Sequence, residues 1–170
     1  MKKLMILASA FLFGSSLFAQ KFAFVDSEYI LSQIPSYQEA QKALDDLSVR
    51  WQEQIEGKYA EVHKMYQSYQ AEQVLLTEEM KRKREDEIIK KEQEAKDLQQ
   101  AKFGVDGELF QKRKELVEPI QEEIYKAIKE VAKLQGLSFM FDKSGQSNIL
   151  FADSKYDKSD EVLKKLGYNK

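Results

Sequence analysis

Apolar side chains recur along the first half of the chain at alternating spacings of three and four residues. They are Tyr37, Ala40, Leu44, Leu47, Trp51, Ile55, Tyr59, Val62, Tyr66 and Tyr69. Such a stripe is typical of a helix that packs lengthwise against a second helix, and the steps of four around Trp51–Tyr59 interrupt the coiled-coil repeat once. Helix-forming sequence resumes after Thr77, which can cap a helix, and continues to Gln135. The pattern predicts a long antiparallel helical hairpin.

The two ends of the chain carry the strand signals. Lys21–Val25 and Leu137–Phe141 are short apolar and aromatic runs, and Asn148–Ala152 predicts a third strand. We expect a short helix after the first strand that ends at Pro35, and a capping box across Ser36–Glu39 that begins the outgoing helix. The predicted fold class is mainly α, with a small β body built from both chain ends and a coiled-coil arm projecting from it.

The N-terminus has the layout of a secretory signal peptide. Two lysines precede an apolar run that is too short to span a membrane, and cleavage is predicted after Ala19. Pro119 is predicted to kink the returning helix where it rejoins the body. The predicted parts are a signal peptide (1–19), a β-rich trimerisation body (20–35 and 119–170) and a helical hairpin arm (36–118) with its tip near 74–78.

Composition supports an extended helical protein. Without residues 1–19 the chain has 25 basic and 29 acidic residues, a net charge of −4. With 33% charged residues, 7 glycines and 2 prolines, this is helical-hairpin composition. The absence of cysteine excludes disulfides and a cysteine-linked lipid anchor. Because the body is small for an independent core, we expect a homo-oligomer.

No arrangement of residues suits catalysis, a metal or a cofactor. His63 is the single histidine and has no cysteine to partner it. Asp45-Asp46 and Glu122-Glu123 are adjacent pairs, which diverge on a helix. Zinc, EF-hand and GxxxxGK spacings do not occur. We therefore expect neither an enzyme nor a metal, cofactor or nucleic-acid site.

A turn near residue 76 would set which residues face each other across the hairpin. Near the base the predicted pairs are apolar: Leu44 with Leu109, Leu47 with Val105, and Trp51 with Phe103. Farther out, the predicted facing residues are charged, from Lys83 to Lys90. The aromatic and apolar residues there are either half-buried coiled-coil core or a contact surface for a client chain. They are Tyr59, Val62, Tyr66 and Tyr69.

Two further features of the arm have alternative interpretations. Gly104 and Gly107 are predicted inside the returning helix, where they allow either close packing or a hinge. Lys81, Arg82, Lys83 and Arg84 form a basic tip, which is either a solvated face balanced by nearby acids or a surface for acidic partners or anionic lipid.

Three stretches together resemble the Skp/OmpH family of periplasmic chaperones. They are Phe22–Asp26 with Ile30-Leu31, Pro119-Ile120 through Ile128–Ala132, and Ile149–Asp153 leading to Tyr156–Leu166. The resemblance covers the whole mature chain and is most specific at its two ends. Phe22, Phe24, Phe139, Phe141 and Phe151 are then expected in the core of the body or at its trimer interface.

The resemblance implies a jellyfish-like homotrimer that holds unfolded outer-membrane proteins in the periplasm without ATP. The best-known members are strongly basic, whereas this mature chain is mildly acidic, so no role with lipopolysaccharide is carried over. The alternative is a coiled-coil spacer or scaffold of the cell envelope that does not bind unfolded proteins. A weaker alternative is a membrane-surface protein that uses the basic tip, without stable insertion.

Overall fold

The computed structural model describes residues 21–145 and 149–168. The signal-peptide prediction and Asn148 of the predicted third strand lie outside these residues. Two short 3-10 turns, Gln73–Leu75 and Ser154–Tyr156, accompany the main elements. The main elements, in chain order, are β1 (Phe22–Val25), α1 (Ser27–Ser32), α2 (Pro35–Glu72), α3 (Glu78–Phe103), α4 (Glu108–Gln135), β2 (Phe139–Asp142) and α5 (Ser159–Lys165).

The chain divides into two compact units. Of the described residues, 21–30, 125–145 and 149–168 form the sheet unit, and Leu31–Ile124 form the hairpin unit. Helix α4 contributes its first part to the hairpin unit and its last part to the sheet unit. The predicted fold class is confirmed in its long helical hairpin and in a small sheet that both chain ends build.

Strands β1 and β2 pair in parallel, with Phe22 opposite Phe139 and Phe24 opposite Phe141. The backbone of Lys143 donates to the carbonyl of Val25 at 2.8 Å, just beyond the paired residues. Parallel strands require a long crossover connection. In this chain the connection from β1 to β2 contains the whole helical hairpin.

The predicted third strand is wrong in its described part, because residues 149–152 form no strand. Leu150 is 99% exposed and Phe151 87% exposed. Residues after this segment instead contact the free side of β1. Phe24 forms an isolated bridge with Asp157, and its carbonyl accepts a hydrogen bond from the backbone of Lys158 at 2.9 Å. Among residues 21–145 and 149–168, the segment that contains Phe151 therefore pairs with no strand.

A cluster of polar groups joins the start of α1 to the end of β2 and the turn that follows it. The Asp142 carboxylate accepts from the Ser27 backbone at 3.1 Å and from the Ser27 hydroxyl at 2.6 Å. The backbone and hydroxyl of Ser144 donate to it as well. Burial opposes ionisation of this carboxyl, but the hydrogen bonds from Ser27 and Ser144 outweigh it and lower the pKa of Asp142. The cluster holds the two ends of the chain together.

We predict that Asp142→Asn lowers the free energy of unfolding of the sheet unit at pH 7. It should also reduce the loss of this free energy as the pH falls. A carboxyl whose pKa is lowered by folding stabilises the native state above its unfolded pKa of about 3.9, and this contribution disappears as pH falls through the folded value. The expected loss at pH 7 is about 1–2 kcal/mol, from hydrogen bonds to a partly exposed charge. Urea unfolding between pH 2 and pH 7 measures it. Asp46→Asn is the control. If the stability of Asp142→Asn fell with pH as steeply as that of the wild type, the Asp142 carboxylate would not be the stabilising group.

Helix α2 begins differently from the prediction. Pro35 is its first residue rather than the end of the preceding helix, and Ile34 is the N-cap without a side-chain cap bond. The capping box at Ser36–Glu39 is therefore wrong, because those residues already lie inside the helix. Proline suits a first helical position, since its missing N–H has no partner there anyway. At the other turn Thr77 caps α3 as predicted, accepting from the backbone of Met80 at 3.3 Å.

The base of the hairpin unit has an apolar cluster of buried Ala40, Leu44 and Val117. Leu109 packs against this cluster, which includes its predicted partner Leu44. The predicted pairing of Leu47 with Val105 is wrong, because Val105 is 94% exposed. Pro119 lies inside α4, which continues to Gln135, and the kink expected there stays a prediction.

The returning helix is interrupted between Phe103 and Glu108. The prediction that Gly104 and Gly107 lie inside a helix is therefore wrong. A Cβ on Gly107 would lie 2.9 Å from the backbone nitrogen of Gly104 and 2.9 Å from the carbonyl oxygen of Lys102. These glycines allow the backbone to fold closely on itself at the interruption. The side chains of Lys102 and Glu108 form an ion pair of 2.5 Å across it.

We predict that Gly107→Ala destabilises the hairpin unit by about 1–3 kcal/mol, because backbone atoms cannot give way to the added methyl group. The matched control is Gly57→Ala in the middle of α2, where an added Cβ meets nothing within 4 Å. That change should stabilise the helix by about 1 kcal/mol. Thermal unfolding followed by circular dichroism measures both. Equal responses of the two variants would contradict the close backbone approach at Gly107.

Candidate functional site

An open groove lies between α2 and α3 in the outer part of the hairpin. Its volume is about 640 Å³, within the usual range of ligand sites. It brings together all four predicted contact residues, which the sequence places along one stripe. The lining residues are Tyr59, Val62, His63, Tyr66 and Tyr69 from α2, with Glu85, Ile88, Ile89 and Glu92 from α3.

The groove is more apolar than the sequence predicted. Val62 and Tyr66 do not face only charged residues, because Ile88 and Ile89 line the same groove. Ile88 is buried, whereas Ile89 is 62% exposed and Tyr66 is 48% exposed. These two side chains offer apolar surface at the mouth. The adjacent isoleucines within a highly charged helix were the sequence signal that could have revealed them.

Two of the lining tyrosines form hydrogen bonds that link α2 to α3. Tyr59 donates to Gln99 at 3.2 Å, and Tyr69 donates to the carboxylate of Glu85. The hydrogen bond to Glu85 raises the pKa of Tyr69. Tyr69 is thus both a lining residue and a link between α2 and α3, while Tyr66 contributes exposed ring surface.

Ion pairs join the same two helices beside the groove. Lys58 lies 3.8 Å from Glu94, and Lys91 lies 3.5 Å from both Glu61 and Glu94. The charges of Glu61 and Glu94 raise the pKa of Lys91. None of these four residues is among those that line the groove, so they connect the helices without filling it.

Nearer the base, Trp51 fills the space between the helices. It is buried, and its ring meets Phe103 edge to face with centroids 6.2 Å apart, as the predicted pairing requires. The ammonium of Lys102 lies 4.9 Å from the Trp51 ring. Trp51 therefore belongs to the packed part of the hairpin, and the open groove begins beyond it at Tyr59.

The predicted basic tip lies in the first turns of α3. Lys81 forms an ion pair with Glu78 at 2.7 Å, and Arg82–Arg84 are exposed. The turn before it is apolar, since Val74 and Leu75 are each 84% exposed. The tip thus combines apolar and charged surface.

A second apolar surface lies on the sheet. Because Phe22 pairs with Phe139 and Phe24 with Phe141, all four rings lie on one face of the sheet. Only Phe24 is buried; the other three are about half exposed. A pocket of about 360 Å³ on this face is also lined by Phe151. We name these five phenylalanines the aromatic sheet face.

The described residues also bear on two other possibilities, a metal site and a membrane span. Within residues 21–145 and 149–168, His, Cys, Asp and Glu side chains form no group of three that could hold a metal ion. His63 lines the groove and shares a hydrogen bond of 3.0 Å with Gln67. In the same residues no helix combines the length and apolar character needed to cross a membrane.

Fold and surfaces define a helical-hairpin protein with a small sheet built from both chain ends and an open apolar groove between its long helices. The OmpH-like outer membrane protein family matches residues 21–166. The chain belongs to this OmpH-like family, which confirms the resemblance drawn from its sequence.

A solved structure supports the fold. It is an OmpH-like protein from Caulobacter crescentus CB15, named there as a candidate outer membrane chaperone. The two chains are 12% identical, with a TM-score of 0.67, and the match covers 86% of this chain and 83% of that chain. A comparison with curated protein sequences gives no match.

Proposed function

We propose that this protein is an ATP-independent holdase chaperone of the periplasm that binds unfolded outer-membrane proteins and prevents their aggregation. Three copies assemble through the sheet unit, and their hairpins hold the client between them. Membership of the OmpH-like family supports the class of function. The observation that carries the proposal is the open groove with Tyr66 and Ile89 exposed at its mouth.

The groove suits transient binding of unfolded chains. Its tyrosines present an apolar ring body together with a polar hydroxyl, so they can contact apolar and polar segments alike. A single groove offers limited apolar surface and should bind weakly. Several grooves in one assembly multiply weak contacts into useful avidity while each contact remains easy to release.

The aromatic sheet face supports self-association. Exposed aromatic rings clustered on one face commonly mark an interaction surface. A two-stranded sheet is also marginal by itself and gains stability when it is extended or covered. Residues 149–152, which pair with no strand in the described part of the chain, lie beside this face. We propose that further copies cover these rings.

The function is tested by light scattering of a urea-unfolded outer-membrane barrel protein that is diluted into buffer without nucleotide. We expect the mature chain to suppress scattering at about one trimer per client. Serum albumin at equal mass is the control for non-specific protection. Unchanged scattering at a several-fold excess of trimer would contradict the chaperone proposal and favour the envelope spacer.

A further inference from the structure

We propose that the groove prefers client segments in which an aromatic residue lies next to a lysine or arginine, and that Glu85 recognises the cation. This inference rests on the proposed function and adds a selection rule to it. It concerns the mouth of the groove, where an apolar lining and an acidic rim meet. The occupant is therefore an unfolded segment with adjacent aromatic and basic side chains.

The shape of the groove accounts for the aromatic part of the rule. Ile88 and Val62 provide an apolar surface, and three tyrosine rings surround it. Aromatic pairs gain more than their area burial alone because ring edges and faces attract each other. A client ring that lies on Tyr66 and Ile89 would cover the two most exposed apolar side chains of the groove.

The acidic side chains of the groove explain the preference for a lysine or arginine beside the client ring. The lining includes the carboxylates Glu85 and Glu92 and no lysine or arginine. Glu92 is already paired with Lys96 at 2.7 Å. Glu85 is exposed and accepts a hydrogen bond from Tyr69, and among the described ion pairs it has no cationic partner. A basic side chain beside the bound ring would supply that partner.

Glu85 and Ile89 are close enough for one client segment to contact both. Glu85 and Ile89 are four residues apart on α3, so their side chains are neighbours on one helix face. A cation on the residue next to the client ring can reach Glu85 while the ring covers Ile89. Two basic residues of the tip lie one turn before Glu85. Lys81 is paired with Glu78, and Arg82 forms no ion pair with Glu85 among the described residues.

Fluorescein-labelled peptides of about twenty residues test the rule against the full mature chain by fluorescence anisotropy. One peptide contains two Phe-Lys pairs in a Gly-Ser background. A second has the same composition with each Phe separated from each Lys by five residues, and a third has Ala in place of Phe. We expect the paired peptide to bind about threefold more tightly than the separated one, as an exposed ion pair allows. The Ala peptide should bind more weakly than either.

Glu85→Gln is the decisive variant, because glutamine can still accept from Tyr69 but has no charge. It should reduce the ratio between paired and separated peptides to about one. Glu79→Gln, an equal change of net charge on the exposed first turn of α3, should leave the ratio at about three. High salt should also reduce the ratio.

An equal affinity for the paired and separated peptides in the wild type would overturn the proposal, as would a ratio that Glu85→Gln leaves unchanged. Absence of binding by all three peptides would overturn it too. The scattering assay separates this from the proposed function. A wild type that suppresses aggregation without peptide selectivity retains the chaperone function and loses only the rule.

Discussion

Replacing Phe139 and Phe141 by serine should dissociate the oligomer while each chain keeps its helices. Both rings are about half exposed on the sheet face and stack with centroids 6.3 Å apart. Covering the remaining half of each ring is worth about 1 kcal/mol, so six rings in a trimer contribute about 6 kcal/mol. The overall association constant should fall by about four orders of magnitude.

Sedimentation velocity at micromolar concentration measures this loss, and circular dichroism checks that the helices remain. The matched control is Phe110→Ser with Tyr125→Ser, which removes two aromatic side chains of similar exposure from helix α4. That control should sediment like the wild type. An oligomer that survives the loss of both sheet-face rings would show that the chains associate elsewhere.

Replacing Trp51 by alanine should destabilise the hairpin unit by about 3–5 kcal/mol. The change leaves a large cavity between the helices and removes the contacts with Phe103 and Lys102. The inner hairpin should open first, because its packing depends on this ring. Urea unfolding with hydrogen exchange of the α2 and α3 amides measures the effect.

The control for Trp51 is Val49→Ala, which shortens a side chain on the same helix that is mostly exposed. Its cost should stay within about 0.5 kcal/mol. A Trp51→Ala variant as stable as this control would mean that the ring is not a structural centre of the hairpin.

The helical hairpin was predictable because its apolar period is long and its breaks are few. The stripe from Tyr37 to Tyr69 could pack only against another helix, and the strands at both ends had clear aromatic signals. The packing of Leu109 against the cluster around Leu44 and the contact of Trp51 with Phe103 followed from a turn near residue 76. These contacts depend on local pattern and chain length, which the sequence carries directly.

The outer hairpin was predicted less well because helix register magnifies small errors. The turn contains a 3-10 segment, Gln73–Leu75, whose geometry the sequence pattern does not define. A shift of two residues in the facing pairs rotates a helix by about 200°. Such a rotation exchanges a charged face for an apolar one. Tyr66 was therefore expected against charged residues, and Ile88 and Ile89 were missed.

The interruption at Gly104–Gly107 and the aromatic sheet face show two other limits. Glycine composition indicates a weak point in a helix but does not say whether the helix bends or stops. Strand alternation places Phe139 and Phe141 on one face, but the sequence of one chain does not define what covers that face. Both rings are about half exposed, which favours an interface between copies over a position in the core.

The most direct test of client binding by the groove replaces its two exposed residues and measures protection of a client. We expect Tyr66→Ser with Ile89→Ser to lose at least half of the wild-type suppression of barrel-protein scattering, with its oligomer intact by sedimentation. Val49→Ser with Tyr125→Ser removes one exposed aliphatic and one exposed aromatic side chain outside the groove, and it should protect like the wild type. Full protection by the groove variant would contradict the claim that this groove holds clients.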